Sequence, residues 1–132
     1  MSTPIGPYTP IVRAGPWLVC SGQLGLATTP TGAPVGSPAL VEGGATAQLT
    51  QALVNAESLL ATEGAAPGDI VKTTVFLTDM DGYGAVNAAY AAYFGTHRPA
   101  RSVVGVAALP MGAAVEVEVW AYVGPGAATG GE

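Results

Sequence analysis

The chain has 132 residues, of which 49% are apolar and only 10% charged, and its formal net charge is −5. That is the size of one domain, carrying far less charge than the ~25% of a typical domain. No apolar run reaches the ~18–20 residues of a membrane helix, four basic side chains and a pI near 4.5 argue against a nucleic-acid footprint, and a lone Cys20 excludes an intramolecular disulfide or a multi-cysteine metal site.

Met1-Ser2-Thr3-Pro4 lacks the basic and apolar regions of a signal peptide. The expectation is a soluble cytoplasmic protein without nucleic-acid or membrane partners. So little charge also suggests that other copies bury much of the surface. A crowded apolar core under a neutral polar surface is the alternative.

Tyr8 to Arg13 and Trp17 to Gln23 read as two short strands joined by the turn Ala14-Gly15-Pro16. Gly25 to Gly44 is a long Gly-, Pro-, Thr- and Ala-rich connection with a turn at Pro30-Thr31-Gly32. Leu49, Leu53, Ala56 and Leu60 recur at helical spacing and predict a helix over 45–63, stopped by Gly64. Ile70 to Thr78 reads as a strand. Asp79 or Asp81 caps a second helix that runs to about Phe94, with Val86, Tyr90 and Tyr93 on one face.

Ala100 to Leu109 reads as the next strand, and Pro110-Met111-Gly112 turns the chain. Val115-Glu116-Val117-Glu118-Val119 alternates strictly and continues as a strand to about Val123. The expected domain spans residues 1–123, and residues 124–132 read as a flexible tail. The order ββαβαββ, read as two antiparallel hairpins and two helices, fits an α+β sheet with both helices on one face. The other face then needs a cover, and another subunit is the simple one.

The basic residues are Arg13, Lys72, Arg98 and Arg101. Arg101 opens an apolar strand, where a guanidinium is costly to desolvate unless an anion meets it. Its planar fork of donors matches a carboxylate, so a small carboxylate ligand is one reading and a rim arginine paired to a surface acid is the other. Glu116 and Glu118 share the strand face opposite the valines. Pairing of that strand with the Arg101 strand would join an arginine and a glutamate in one cleft, one to hold a carboxylate and one to position or deprotonate a water. Solvated outer-face glutamates are the alternative.

Asn87 sits beside the apolar face of the second helix and is either a ligand-facing or an exposed amide. Tyr8 follows the stiff turn Ile5-Gly6-Pro7 and presents a phenol at a strand start or packs into the core. His97, the only histidine, reads as a solvated loop residue without metal-ligand spacing around it. Cys20 reads as a buried small hydrophobe.

These segments together resemble the reactive intermediate deaminase family, the Rid or YjgF-type proteins. The matching pieces are Ile5-Gly6-Pro7-Tyr8, Ser21-Gly22-Gln23, Pro30-Thr31-Gly32, Asp69 through Leu77, Val86-Asn87-Ala88-Ala89-Tyr90, Phe94, Pro99-Ala100-Arg101-Ser102, Val106 through Pro110 and Val115 through Glu118. They run in family order over nearly the whole chain except its tail.

The resemblance implies a chorismate-mutase-like α+β fold and a homotrimer whose sheets line a central barrel, with three ligand clefts between subunits. It implies hydrolysis, without metal or organic cofactor, of enamines and imines such as 2-aminoacrylate and 2-iminopropanoate to 2-keto acids and ammonia. A non-catalytic trimer that binds small carboxylates, or a member specialised for another imine or amide, are the alternatives. The family's carboxylate-binding arginine falls on Arg101 and its water-positioning glutamate on Glu116. Tyr8 and Asn87 fall on positions that line or support the cleft, and the backbone near Ser102 and Val103 would hold the imine nitrogen.

Some positions depart from the pattern. Arg98 stands where many members carry an aromatic residue, after a comparatively short loop, Gly95-Thr96-His97. Val103 replaces a frequent cysteine and Met111 a common lysine. These changes bear on substrate size, and Arg98 suits a larger or dianionic substrate.

Overall fold

The computed structural model describes residues 6–28 and 39–124. Six strands form one mixed sheet: β1 (Ile11–Ala14), β2 (Trp17–Cys20), β3 (Gln23–Leu24), β4 (Ile70–Leu77), β5 (Ala100–Gly105) and β6 (Val115–Tyr122). Two helices, α1 (Gly44–Ala61) and α2 (Tyr83–Phe94), complete the fold. The strand order is β1-β2-β6-β4-β5, with the short β3 also paired to β6. The Pro30-Thr31-Gly32 turn and the tail beyond Gly124 lie outside the described residues.

The alternation in β6 sets the two faces of the sheet. Val115, Val117 and Val119 are fully buried with Leu18, Val75 and Leu77 against Leu49, Leu53 and Leu60 of α1 and Val86 and Tyr90 of α2. Each such aliphatic side chain contributes about 1.5–3 kcal/mol by leaving water. Both helices therefore pack on one face. Glu116, Glu118 and Trp120 point to the other, where Val12, Trp17, Val104 and Trp120 stay exposed. Trp17 packs edge-on against Trp120, with ring centroids 6.1 Å apart, and against Tyr122, at 5.0 Å.

Only the first expected hairpin forms, between β1 and β2. The Arg101 strand does not pair with the Glu116 strand. Instead, β4 lies between them, parallel to β5 and antiparallel to β6. The physical reason is the α2 crossover. A strand that returns through a helix joins its predecessor in parallel, which leaves β5 at the sheet edge. It also ends earlier than expected, at Gly105, because β4 stops at Leu77, whose carbonyl accepts the last bond, from Val106 N–H at 2.9 Å.

The second strand is broken. Val19 pairs with Trp120 and Gln23 with Val117, so one extra residue bulges out between them. The bulge falls at Ser21-Gly22, where Ser21 N–H and Oγ donate to the carbonyls of Pro10 (2.8 Å) and Thr9 (2.7 Å). Asn55 anchors the segment from the helix side: its Nδ2 donates to the carbonyls of Leu24 and Leu26 at 3.1 and 3.0 Å. Gly25 lets the strand meet α1, since a Cβ there would lie 2.5 Å from Gln48 Cα. His97 is half-buried, not solvated, and its Nε2 bonds the Ile70 carbonyl at 2.8 Å. No helix of the described residues is long and apolar enough to cross a membrane.

Candidate active site

Arg101 stands beside Thr73 across the β4–β5 ladder and shares its helix-side face. Because β5 is an edge strand, the side chain escapes the core and emerges alongside α2. Its Nη2 donates to Tyr83 Oη at 3.3 Å, and its guanidinium carbon lies 4.8 Å from the Tyr90 ring centroid and 5.8 Å from that of Tyr83. Thr73 Oγ1, fully buried, bonds Tyr90 Oη at 2.8 Å and fixes the ring. Burial pushes the Tyr90 phenol above its ordinary range, against the lowering effects of the Thr73 bond and of Arg101 and Arg98. Stacking on an aromatic face holds a guanidinium by ~0.5–2 kcal/mol while leaving its N–H edge to a ligand.

A cleft of about 310 Å³ opens here, lined by Asn87, Tyr90, Ala91, Arg98, Pro99 and Arg101. Among the described residues neither arginine has a carboxylate partner; the only ion pair there is Arg13–Glu63, at 3.0 Å. Asn87 Oδ1 is buried and has no hydrogen-bond partner. A buried amide oxygen without a partner and a guanidinium without a counter-ion thus line one cleft, which leaves polar capacity for a ligand.

Glu116 is not in this cleft. It aligns with Phe76 of β4, which aligns with Val104 of β5, so it faces the side of the sheet away from α2. The expected meeting of Arg101 and Glu116 within one chain is thus overturned: they sit on opposite faces with a strand between them. Glu116 lies against the Ser21-Gly22 bulge, where a Cβ on Gly22 would come within 2.7 Å of its carboxyl carbon. Burial, and then the like charge of Glu118, raise its pKa above the ordinary 4.5. Tyr8 is half exposed and stands three residues ahead of Ile11, the start of β1, the strand at the sheet edge opposite the Arg101 strand. Its neighbours Thr9 and Pro10 hold Ser21, so Tyr8 belongs to the Glu116 side.

Ser102 also points away from Arg101, accepting from Lys72 Nζ at 3.1 Å, while Val103 turns back to the core beside Arg101. Backbone groups alternate along β5. Val106 N–H bonds the Leu77 carbonyl, so the even-numbered residues face β4: the Ser102 backbone is turned to β4 and the Val103 backbone to the open edge, where a ligand can reach it. The structure therefore divides the expected residues into two groups. Arg101 and Asn87 meet at α2. Glu116 meets the Gly22 bulge, whose Ser21 is bonded to the segment that follows Tyr8. Tyr83 and Tyr90, the platform under Arg101, were not anticipated as site residues, although Tyr83, Asn87 and Tyr90 stand at i, i+4 and i+7 of one helix face. Among the described residues no group of three or more His, Cys, Asp or Glu is placed to hold a metal ion.

This architecture is shared with solved structures. The YjgF gene product of E. coli is 38% identical, with 90% of each chain covered and a TM-score of 0.78. RidA from the Antarctic bacterium Psychrobacter sp. PAMC 21119 is 34% identical over 92% of this chain and 93% of that one, with a TM-score of 0.80. The fold is thus the α+β fold of the YjgF structures. The family model described as endoribonuclease L-PSP matches residues 1–123, and the chain belongs to that family, the YjgF or Rid family. Among curated relatives, the 2-iminobutanoate/2-iminopropanoate deaminases of Mus musculus and Homo sapiens are 41% and 38% identical over 92% of this chain, covering 84% and 83% of theirs.

Proposed function

We propose that the chain is a hydrolase that deaminates 2-imino and 2-enamino acids to 2-keto acids and ammonia, acting as a single domain over residues 1–123. The observation that carries the reading is the Arg101 guanidinium, stacked on Tyr90 in a cleft and without a carboxylate partner among the described residues. The 41% identity to a mouse protein named for this activity supports it.

The site is completed by a second copy of the chain. Arg101 and Glu116 face opposite sides of one sheet, so no cleft of a single copy holds both. A homotrimer with its exposed sheet faces turned inward, and clefts between subunits, brings Glu116 of one copy toward Arg101 of the next. The exposed Val12, Trp17, Val104 and Trp120 supply apolar area for that contact.

Arg101 clamps the substrate carboxylate through paired N–H donors. Asn87, Tyr8 and the edge backbone of Val103 orient the nitrogen end. An enamine first takes a proton at carbon to become the imine. Glu116 then accepts a proton from a water as the water oxygen bonds to C2. The C=N π pair moves to nitrogen, which is protonated. The C–N bond breaks as C2–O becomes a carbonyl, so one water is consumed and one ammonia is released. An imine carbon is already electrophilic, so placing the water and moderate acid–base help suffice. A raised carboxyl pKa makes Glu116 a better proton acceptor than an ordinary glutamate.

No cofactor is called on. A buried single cysteine, its thiol pushed up to about 12 by burial, fits a reducing, cytoplasmic setting. RNA-directed chemistry is disfavoured by the net charge of −5 and the four basic residues.

An amino-acid oxidase generating imino acids in the presence of semicarbazide tests the reading, with the protein competing for the imine. Suppressed semicarbazone formation that is lost in Arg101→Ala, with assembly intact by light scattering, is expected. Glu116→Gln should lower kcat more than it raises KM. Full activity in Arg101→Ala would overturn the site assignment.

A further inference from the structure

Two of the four basic side chains are already engaged outside the cleft. Arg13 pairs with Glu63 through Nε and also donates to its backbone carbonyl, and Lys72 donates to Ser102. The other two, Arg98 and Arg101, line the same cleft. Two like charges gathered in a chain of net charge −5, without a carboxylate partner among the described residues, are held against their own repulsion. One carboxylate satisfies Arg101. A second guanidinium calls for a second anion.

The structure assigns that anion to the substrate. We propose that Arg98 is a specificity residue and that the preferred substrates are 2-imino acids with a second carboxylate on the side chain. This rests on the imine-hydrolase reading of the same cleft.

Arg98 is positioned rather than loose. Its Nη1 donates to the carbonyls of Gly95 and His97, just past the end of α2. Pro99 restricts the Arg98 backbone to extended conformations. Both anchoring bonds use the one nitrogen, so Nε and Nη2 make no hydrogen bond to a described residue. An arginine fixed by one nitrogen has lost most of its rotamer freedom before a ligand arrives, which lowers the entropy cost of binding. Capping the helix alone would not need the side chain to line the cleft. Against the upward push of burial, both guanidiniums lower the Tyr90 phenol pKa, Arg101 ahead of Arg98.

The test pairs binding with turnover. The wild-type protein is titrated calorimetrically with 2-oxoglutarate and with 2-oxobutanoate, a dicarboxylic and a monocarboxylic keto acid. The semicarbazide assay is run with imines generated from glutamate and from alanine. A second charge-assisted pair predicts a Kd about tenfold lower for 2-oxoglutarate, and a kcat/KM ratio favouring the dicarboxylic imine by about tenfold, carried mainly by KM. Arg98→Met should bring both ratios close to one, and added salt should erode them in the wild type. Equal affinity of the wild type for the two keto acids overturns the proposal, as does an unchanged ratio in a folded Arg98→Met. If that variant melts, the wild-type comparison decides alone. Titration judges Arg98 and turnover judges the hydrolase reading, so the two fail separately.

Discussion

Gly22 sits in the bulge against Glu116 and does not adopt a positive φ, so alanine is tolerated there by the backbone. Its added Cβ would lie 2.7 Å from the Glu116 carboxyl carbon and 3.1 Å from Cγ. Ordinary contact begins near 3.4 Å and Glu116 Oε2 lies closer to the added Cβ than the carboxyl carbon does, so the carboxylate must retreat by about 1 Å or more. The intruded group is the far end of a flexible side chain, so the stability cost is small. A loss of Gly freedom in the unfolded chain offsets it by about 0.4–1 kcal/mol. Catalysis has no such tolerance: a misplacement of about 1 Å costs on the order of 100-fold, which is about 2.7 kcal/mol of barrier.

Gly22→Ala should therefore keep its melting temperature within a few degrees, retain carboxylate binding at Arg101, and lose about 100-fold in kcat in the oxidase–semicarbazide assay. The loss should vanish in the Glu116→Gln background, because the two changes act through one group. A folded Gly22→Ala with kcat within about threefold of the parent would refute the reasoning, since a ~1 Å shift of the carboxylate proposed to position the water would then be harmless.

Two further outcomes follow from the same residues. Glu118 raises the Glu116 pKa, so Glu118→Gln should move the acid limb of the kcat profile to lower pH. A limb that moves upward or stays put would remove Glu116 from the role of proton acceptor. A carboxyl whose folded pKa is raised contributes stability below its unfolded pKa and loses it as pH rises through the folded one, so Glu116 opposes folding at neutral pH and Glu116→Gln should melt higher at pH 7 but not at pH 4. Asn55→Ala strips the donors from two carbonyls behind β3. It should cost about 3 kcal/mol and lower Tm by roughly 10 °C in a scan, and a loss under about 1 kcal/mol would mean that water replaces the amide without penalty.

The parts of the fold written in a local period were legible in the sequence. Valines every second residue in β6 defined its buried face, and leucines at helical spacing defined α1 to within two residues at either end. Arg101 stood out because a charge at a strand mouth violates the surrounding pattern. The relation of Arg101 to Glu116 was hidden for a physical reason. β5 carries apolar residues at both parities, Val103 inward and Val104 outward, so alternation says nothing about which way Arg101 points. Pairing between strands separated by a helix is likewise set by packing of the whole sheet rather than by adjacent residues. The bulge at Ser21-Gly22 was similarly silent, since it is defined by a partner strand nearly a hundred positions away.

The chain has only two tryptophans, and both Trp17 and Trp120 lie in edge-on contact on the uncovered face of the sheet. Indole emission depends on the polarity around the ring, and no third indole exists to dilute the signal. Whatever covers this face must dry both rings at once. Under the proposed trimer the two rings are an optical gauge of assembly: dilution that strips the cover would shift the emission to the red, without a label and at wavelengths clear of the semicarbazone absorbance.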